Sequence, residues 1–346
     1  MQILVTGGAG FIGSHFVEFL LQRHPDWQIT NLDLLTYAGF GHTSRELENA
    51  FPGRYRLVQG SICDQALVDE LVASHELVAH LAAESNVDLS ILDSQAFLQT
   101  NILGTHHLLE ACRRHATRRL LVVSTDEVYG NAWQDRPSCE SDPLLPCSPY
   151  AASKAGQDLL AYSYYETFGL PVVRSRCANN YGPRQDPTKL IPRFILHALH
   201  DQPLPLYGHG GNTRDWIHVR DHCAALEALL LGPAELDGEV FNIGTGVEKS
   251  AREVGTWLLS ALGKPLNLLQ PVPDRPGHVR RHAVNSDKLQ QRLGWQPSIA
   301  WEDGMRSTLD WYSHHSDWWQ AAIEAQAARI PAYDETYLFR KWPKSR

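Results

Sequence analysis

A chain of 346 residues is long enough for one large domain or two intimate ones with an ample core. Its 43% hydrophobic and 20% charged residues describe an ordinary globular composition, and a net charge of −8 with no basic stripe argues against a nucleic-acid partner. The 17 histidines lack metal-ligand spacing, so no metal site is expected. Six cysteines without a CxxC pair, and a start (Met1-Gln-Ile-Leu-Val-Thr6) without a basic leader, point to a reducing cytoplasm. No apolar run approaches the roughly 18–20 residues that span a bilayer, so no membrane is expected.

Strand and helix patterns alternate through the first half. Ile3–Val5 leads into a helix from Gly13 to His24, and Gln28–Asp33 and Tyr55–Val58 read as the next strands. A helix near Ala66–Ser74 precedes a strand at Leu77–Leu81, and a helix near Phe97–His115 precedes Arg119–Ser124. Tyr150–Phe168 is helical and Pro171–Arg174 extended. This alternation predicts α/β architecture with a doubly wound parallel sheet. After about residue 178 proline and glycine become frequent, yet Asp215–Leu231 and Glu239–Ile243 again read as parts of the first sheet. The expected division is therefore interleaved. Residues 1–178, with 215–245 returning, form a cofactor domain; 179–214 and 246–330 form a smaller substrate domain; 331–346 is an unassigned tail.

Three motifs carry chemistry. Gly7-Gly-Ala-Gly10-Phe11-Ile12-Gly13 follows a strand and opens a helix, where small residues let the backbone approach a pyrophosphate at the helix N-terminus. Asp33 ends the second strand, placed for a ribose 2′-hydroxyl, and no arginine follows it, which favours NAD over NADP. Tyr150 and Lys154 stand four apart on one helix face, where an ammonium would lower the phenol pKa from about 10 and make it a base toward an alcohol. Ser124-Thr125-Asp126-Glu127 follows a strand whose carboxyl end should open on the cleft. Two adjacent acids can remove one proton and deliver another, which simple dehydrogenation does not need.

With these motifs and Asn31–Gly39, Leu81-Ala82-Ala83-Glu-Ser85, Thr125–Gly130, Ser148–Lys154, Arg176–Pro183, Lys189–Pro192, Arg214–Trp216, Phe241–Gly244, Asp274–His278 and Leu293–Trp295 in order, the chain resembles the extended short-chain dehydrogenase/reductases. Within them it is most similar to the dTDP-glucose 4,6-dehydratase family, which implies a Rossmann-type fold, bound NAD and a nucleotide-sugar substrate. The resemblance implies that Tyr150, with Lys154 and Thr125, takes the 4-hydroxyl proton. Glu127 would then remove the C5 proton while Asp126 protonates the departing 6-hydroxyl. Cofactor contacts are implied for Gly7, Gly10, Phe11, Ile12, Gly13, Asp33, Leu34, Thr36, Ser61, Ile62, Leu81, Ala82, Ala83, Tyr150, Lys154 and Cys177. Substrate contacts are implied for Ser85, Asn86, Asn179, Lys189, Leu190, Pro205, Tyr207, Arg214, Arg275 and His278. A homodimer through the helices near 97–115 and 150–168 is also implied.

Asn86 and Leu89 stand where the family has His and Arg, Ser61 where it has Asp, Ala251 where Asn is frequent, and Arg184 and Asp186 where aromatics are usual. These changes bear on the choice of sugar nucleotide, dTDP-linked or another such as UDP-linked. The alternatives to a dehydratase are a related sugar epimerase or decarboxylase that needs only Tyr150 and NAD, and a catalytically silent nucleotide-binding protein.

Overall fold

The structure, a computed structural model, describes residues 1–329; the tail at 331–346 lies outside the described residues. Strand β1 (Gln2–Thr6) runs into the glycine loop and α1 (Phe11–Arg23), followed by β2 (Gln28–Asp33), α2 (Gly41–Ala50), β3 (Tyr55–Gln59), α3 (Gln65–Ala73) and β4 (Leu77–His80). Then come α4 (Val87–Leu92), α5 (Gln95–Leu98), a π-helical turn at Gln99–Gly104, α6 (Thr105–Arg114), and β5 (Arg119–Thr125), which ends in a 3₁₀ turn at Asp126–Tyr129. Next are α7 (Pro149–Phe168), β6 (Val172–Cys177), β7 (Asn179–Tyr181), α8 (Leu190–Leu199), β8 (Leu204–Tyr207), β9 (Thr213–His218), α9 (Val219–Leu231) and β10 (Val240–Ile243). The described chain closes with β11 (Glu248–Ser250), α10 (Ala251–Ala261), β12 (Leu269–Val272), β13 (Arg281–His282), α11 (Asp287–Leu293), α12 (Trp301–His314) and α13 (Ser316–Arg329).

Seven strands pair in parallel in the order β10-β6-β5-β4-β1-β2-β3. The order reverses between β1 and β4, so the carboxyl ends of the central strands open on a common crevice, the usual ligand position in such sheets. Side-chain alternation divides the core between the two faces. Ile3 and Val5 pack with Phe16, Leu20 and Leu226, while Leu4 packs with Val68, Leu108 and Val122. Each such buried side chain contributes roughly 1.5–3 kcal/mol. This is the expected doubly wound α/β fold.

A second, smaller body is built on β11-β9-β13 with β7 alongside β9, the β8–β12 pair, and helices α8, α10, α12 and α13. Its core includes Phe194, Leu206, Trp216, Leu258 and Met305. The expected return of 215–245 to the first sheet needs correction at its start. Thr213–His218 pairs with β7, β11 and β13 of the second body, whereas α9 packs on α1 and β10 pairs with β6. Thr213–His218 is buried along nearly its whole length, and a strand pattern in sequence does not reveal which of two sheets it joins.

The single helix expected near Phe97–His115 is also interrupted. At the π turn, Asn101 accepts from Glu84 N and donates to Glu84 O and Ser153 Oγ, and Thr105 Oγ1 donates back to Asn101 O. Such a bulge re-aims side chains without breaking the helix, and is frequent near functional sites.

Helix α7 starts at Ser148, whose hydroxyl accepts from Ala151 N at 3.1 Å, with Pro149 in the first turn. It is fastened to β6 by Asp158, whose buried carboxylate accepts from Arg174 at 2.8 Å and from Arg176 at 2.8 and 3.0 Å. Burial pushes the Asp158 pKa up, but Arg176 and Arg174 outweigh it and hold the group below its ordinary value. The ion cluster's stabilisation is therefore complete above the unfolded carboxylate range and is lost as pH falls through the depressed folded value. Replacing Asp158 by Ala strands two buried guanidinium groups, and should lower the free energy of unfolding by about 3–5 kcal/mol in a denaturant titration.

Candidate active site

The glycine loop is shaped from below. Gly7 lies at φ +77°, and a Cβ there would sit 2.5 Å from Ala82 N; a Cβ on Gly13 would sit 2.1 Å from Gly7 O. Neither position has room for a side chain. Asn31 on β2 accepts from Gly8 N at 2.7 Å and donates to the Tyr55 hydroxyl at 2.9 Å, a brace that the sequence reading missed. Asp33 accepts from Ala9 N at 2.9 Å and Leu35 N at 2.8 Å. Burial raises its pKa, with both backbone bonds acting in the opposite direction. Each carboxylate oxygen keeps a further lone pair for a ligand hydroxyl.

Around this loop lies a cavity of about 290 Å³. Every residue expected to contact the cofactor lines it: Gly7, Gly10, Phe11, Ile12, Gly13, Asp33, Leu34, Thr36, Ser61, Ile62, Leu81, Ala82, Ala83, Tyr150, Lys154 and Cys177. Thr125, Asp126, Glu127 and Ser85 line it as well. A second cavity of about 180 Å³ is lined by Asn86, Leu190, Pro205, Tyr207, Arg214, Arg275 and His278. Glu127, Asn179 and Lys189 belong to both walls, so Glu127 sits at their junction with Asp126 beside it on the first wall. The first cavity fits a dinucleotide. Its loop leaves no room for side chains where a pyrophosphate would approach, and Asp33 at its edge has acceptor capacity left for a ribose hydroxyl.

The chemistry-bearing side chains converge at the ends of β5 and α7. Thr125 closes β5, in register with Cys177 of β6, and its Oγ1 accepts from Glu127 N at 3.2 Å, capping the 3₁₀ turn. Asp126 is buried and Glu127 half-buried. Burial first, then the negative charges of Glu127 and Asp215, push the Asp126 pKa well up, against Arg214 and Thr125. Its protonated form is thus favoured beyond that of an ordinary carboxyl group, and its Oδ2 has no protein partner.

The lowered phenol pKa expected for Tyr150 is not what this arrangement gives. Burial and the charges of Glu127 and Cys177 push Tyr150 well up, while the Thr125 hydroxyl acts the other way. Burial is the largest of these causes, and the Lys154 ammonium donates to Val123 O at 2.7 Å and to Gln157 Oε1. Burial brings Lys154 itself down to about 8, against Cys177 and Asp158.

In the second cavity Arg214 donates to Thr213 O at 2.7 Å and Val279 O at 3.1 Å, and Lys189 donates to Ser85 O at 3.0 Å. The Tyr207 ring meets His278 edge-on at 5.8 Å. Asp88 links two elements here, accepting from Arg275 at 2.9 Å and from the Tyr207 hydroxyl at 3.3 Å. Asp88 and Arg193 were both missed. Arg193 stands four residues after Lys189, a helical spacing that puts both on one face and could have marked it.

The family departures separate by location. Asn86 caps α4, accepting from Leu89 N at 3.1 Å, and Ala251 and Asn86 line the second cavity. Ser61 and Asp186 line the first. Arg184 lines neither. It adopts φ +60° and donates to His15 at 2.9 Å and Glu18 at 2.5 Å of α1, fastening the second body to the first. Among the described residues no cluster of His, Cys, Asp and Glu could hold a metal ion.

The GDP-mannose 4,6 dehydratase family model matches residues 4–308. A dTDP-glucose 4,6-dehydratase of Streptomyces niveus is 45% identical, with 92% of this chain and 95% of that protein covered. The low-salt glycan biosynthesis protein Agl12 of Haloferax volcanii is 47% identical, with 90% of this chain and 98% of that protein covered. The crystal structure of DesIV, a dTDP-glucose 4,6-dehydratase from Streptomyces venezuelae with NAD bound, superposes with a TM-score of 0.89 at 43% identity, covering 93% of this chain and 100% of that one.

Gly13→Ala should abolish dinucleotide binding, because the new Cβ must displace Gly7 O. Calorimetric titration with NAD checks this, and binding of wild-type strength would contradict the loop geometry.

Proposed function

The chain belongs to the dTDP-glucose 4,6-dehydratase family of extended short-chain dehydrogenase/reductases, and from that premise we propose that it converts dTDP-glucose to dTDP-4-keto-6-deoxyglucose with bound NAD. The observation that carries this reading is the buried Asp126, its carboxyl held well above the ordinary range, next to Glu127 on the wall that two cavities share, beside Tyr150 and Lys154. An epimerase needs one proton-transfer group at C4. An elimination across C5 and C6 needs an acid and a base together, in different environments.

In the proposed cycle Tyr150 acts as the phenolate, a form that the positive charge of oxidised NAD in the same cavity would favour against the raised pKa. It takes the proton of the sugar 4-hydroxyl with Thr125 beside it and Lys154 on the same helix. NAD, held by the glycine loop and Asp33, supplies the hydride acceptor for C4 and the hydride donor for C6, and its oxidised form brings positive charge to the cavity that Tyr150 lines. A ketone at C4 acidifies the C5 hydrogen, which Glu127 removes. Asp126 gives its proton to the 6-hydroxyl, which leaves as water; as C6 receives hydride, the protonated Glu127 returns a proton to C5, and exchange with solvent restores Asp126 and Tyr150. Arg214 and Asn179 hold the diphosphate, for which a guanidinium offers paired donors. Lys189, Leu190, Pro205 and Tyr207 form the base pocket, with Arg275 and His278 on the nucleotide-sugar side.

We further propose a cytoplasmic homodimer. Leu98, Leu103, Leu159, Tyr162 and Phe168 are exposed apolar residues on the neighbouring α5–α6 segment and α7, and a second copy would cover them. The six cysteines are free, as a reducing compartment requires. Among the described residues no helix is long and apolar enough to cross a membrane.

Incubation with dTDP-glucose should give a product lighter by one water, and formation of dTDP-galactose would overturn the dehydratase reading. Tyr150→Phe should slow turnover about 10²–10⁴-fold at C4 oxidation, measured as product formation. Glu127→Gln should abolish exchange of the C5 hydrogen with deuterated solvent while C4 oxidation persists. Exchange at the wild-type rate in that variant would remove Glu127 from its role.

A further inference from the structure

A polar chain runs behind Lys154 through the interior. Lys154 Nζ donates to Val123 O and to Gln157 Oε1, and Gln157 Nε2 donates to Thr105 Oγ1 at 3.1 Å. Thr105 spends its own hydroxyl proton on Asn101 O at 2.7 Å. His80 Nε2 lies 2.9 Å from Thr105 Oγ1, His80 Nδ1 lies 2.8 Å from Thr6 Oγ1, and Ala82 N donates to Thr6 Oγ1 at 3.3 Å. Thr6, His80, Asn101, Thr105 and Gln157 are all 0% exposed, so no solvent competes for these bonds.

Donor counting fixes every direction. Thr105 has no second proton, so it accepts from both Gln157 and His80. His80 therefore carries its proton on Nε2 and accepts at Nδ1 from Thr6. Burial, and Lys154 beyond it, pull His80 down to about 3, which keeps the ring neutral in that one tautomer. The chain begins at Thr6 and Ala82, on the strand ends that shape Gly7, and finishes on the lysine ammonium. The π turn places Asn101 and Thr105 to join it.

We infer that Gln157, anchored by Thr105 and His80, is a positioning residue for Lys154, fixing the direction of its ammonium relative to the glycine loop and supporting its positive charge. The inference rests on the proposed function, in which that charge assists Tyr150. Two ammonium protons are committed to Val123 and Gln157, which leaves the third for the cavity that Lys154 lines. The titratable groups facing Lys154 are Cys177 on β6, His80 on β4, and Tyr150 and Asp158 on its own helix. Strand β5 faces it with a carbonyl and α6 contributes the uncharged Thr105, while Asp126 and Glu127 of the 3₁₀ turn act on Tyr150.

The test is the pH profile of kcat together with a direct NMR titration of ¹³C-labelled lysine, in which Lys154 is identified by its disappearance in Lys154→Met. Gln157→Leu removes an acceptor from the charged form, so the Lys154 titration and the alkaline limb should both move down by about one pH unit or more. Gln157→Glu places a carboxylate there and should move both upward. Thr105→Val should shift them in the same direction as Gln157→Leu, and Thr105→Ser should restore the wild-type profile. Unchanged titration in both Gln157 variants, at wild-type melting temperature and NAD content, would overturn the inference. Where Gln157→Leu fails to fold, the Thr105 pair decides by the same criterion. Wild-type protein that leaves dTDP-glucose intact would instead sink the proposed function, and the NMR titration still reads the positioning claim separately.

Discussion

Two carboxyl groups on consecutive residues at the buried end of a strand cannot both be charged without a large desolvation and repulsion cost. That constraint orders the centre of this molecule. Asp126 is the more buried of the pair, and burial, then the charges of Glu127 and Asp215, push its pKa well up and favour its protonated form. The same negative charge at Glu127 raises Tyr150. A compact site thus brings Asp126 and Tyr150 to the wall of the first cavity, with Glu127 on the wall that both cavities share. In the proposed elimination, the separation of acid from base comes from depth of burial along one short turn.

Rigid support surrounds that arrangement. The glycine loop is held by Asn31 and Asp33 of β2, α7 is fastened to β6 by Asp158 and two arginines, and Lys154 is tied to β5 and α6. The second body is attached to the first by Arg184 on α1 and by Trp318, which packs on Phe40 and donates to Thr43 at 3.2 Å. These ties hold the second body against the first beside the two cavities, whose shared wall carries Glu127.

Much of this was legible because it is local. The glycine spacing, the i,i+4 relation of Tyr150 to Lys154 and the Asp126-Glu127 adjacency are properties of short segments, and parallel strands collect their ends at one edge. The elements read least well depend on partners distant in the chain. Asn31 braces Gly8, Asp88 joins Tyr207 to Arg275, and Gln157 reaches Thr105; none is marked by its neighbours in sequence. The π turn was read as continuous helix because one extra residue barely disturbs a helical apolar pattern. The direction of the Tyr150 shift was misjudged because spacing gives the proximity of Lys154 but neither its hydrogen bonds nor the burial of the phenol.

The account stands most directly on the fate of one hydrogen. Turnover of dTDP-glucose carrying deuterium at C4, with the product examined by mass spectrometry and NMR, should give a 4-keto-6-deoxy sugar with that deuterium on C6. A product that retains its 6-hydroxyl, or a deoxy product whose C6 carries no deuterium, would contradict it.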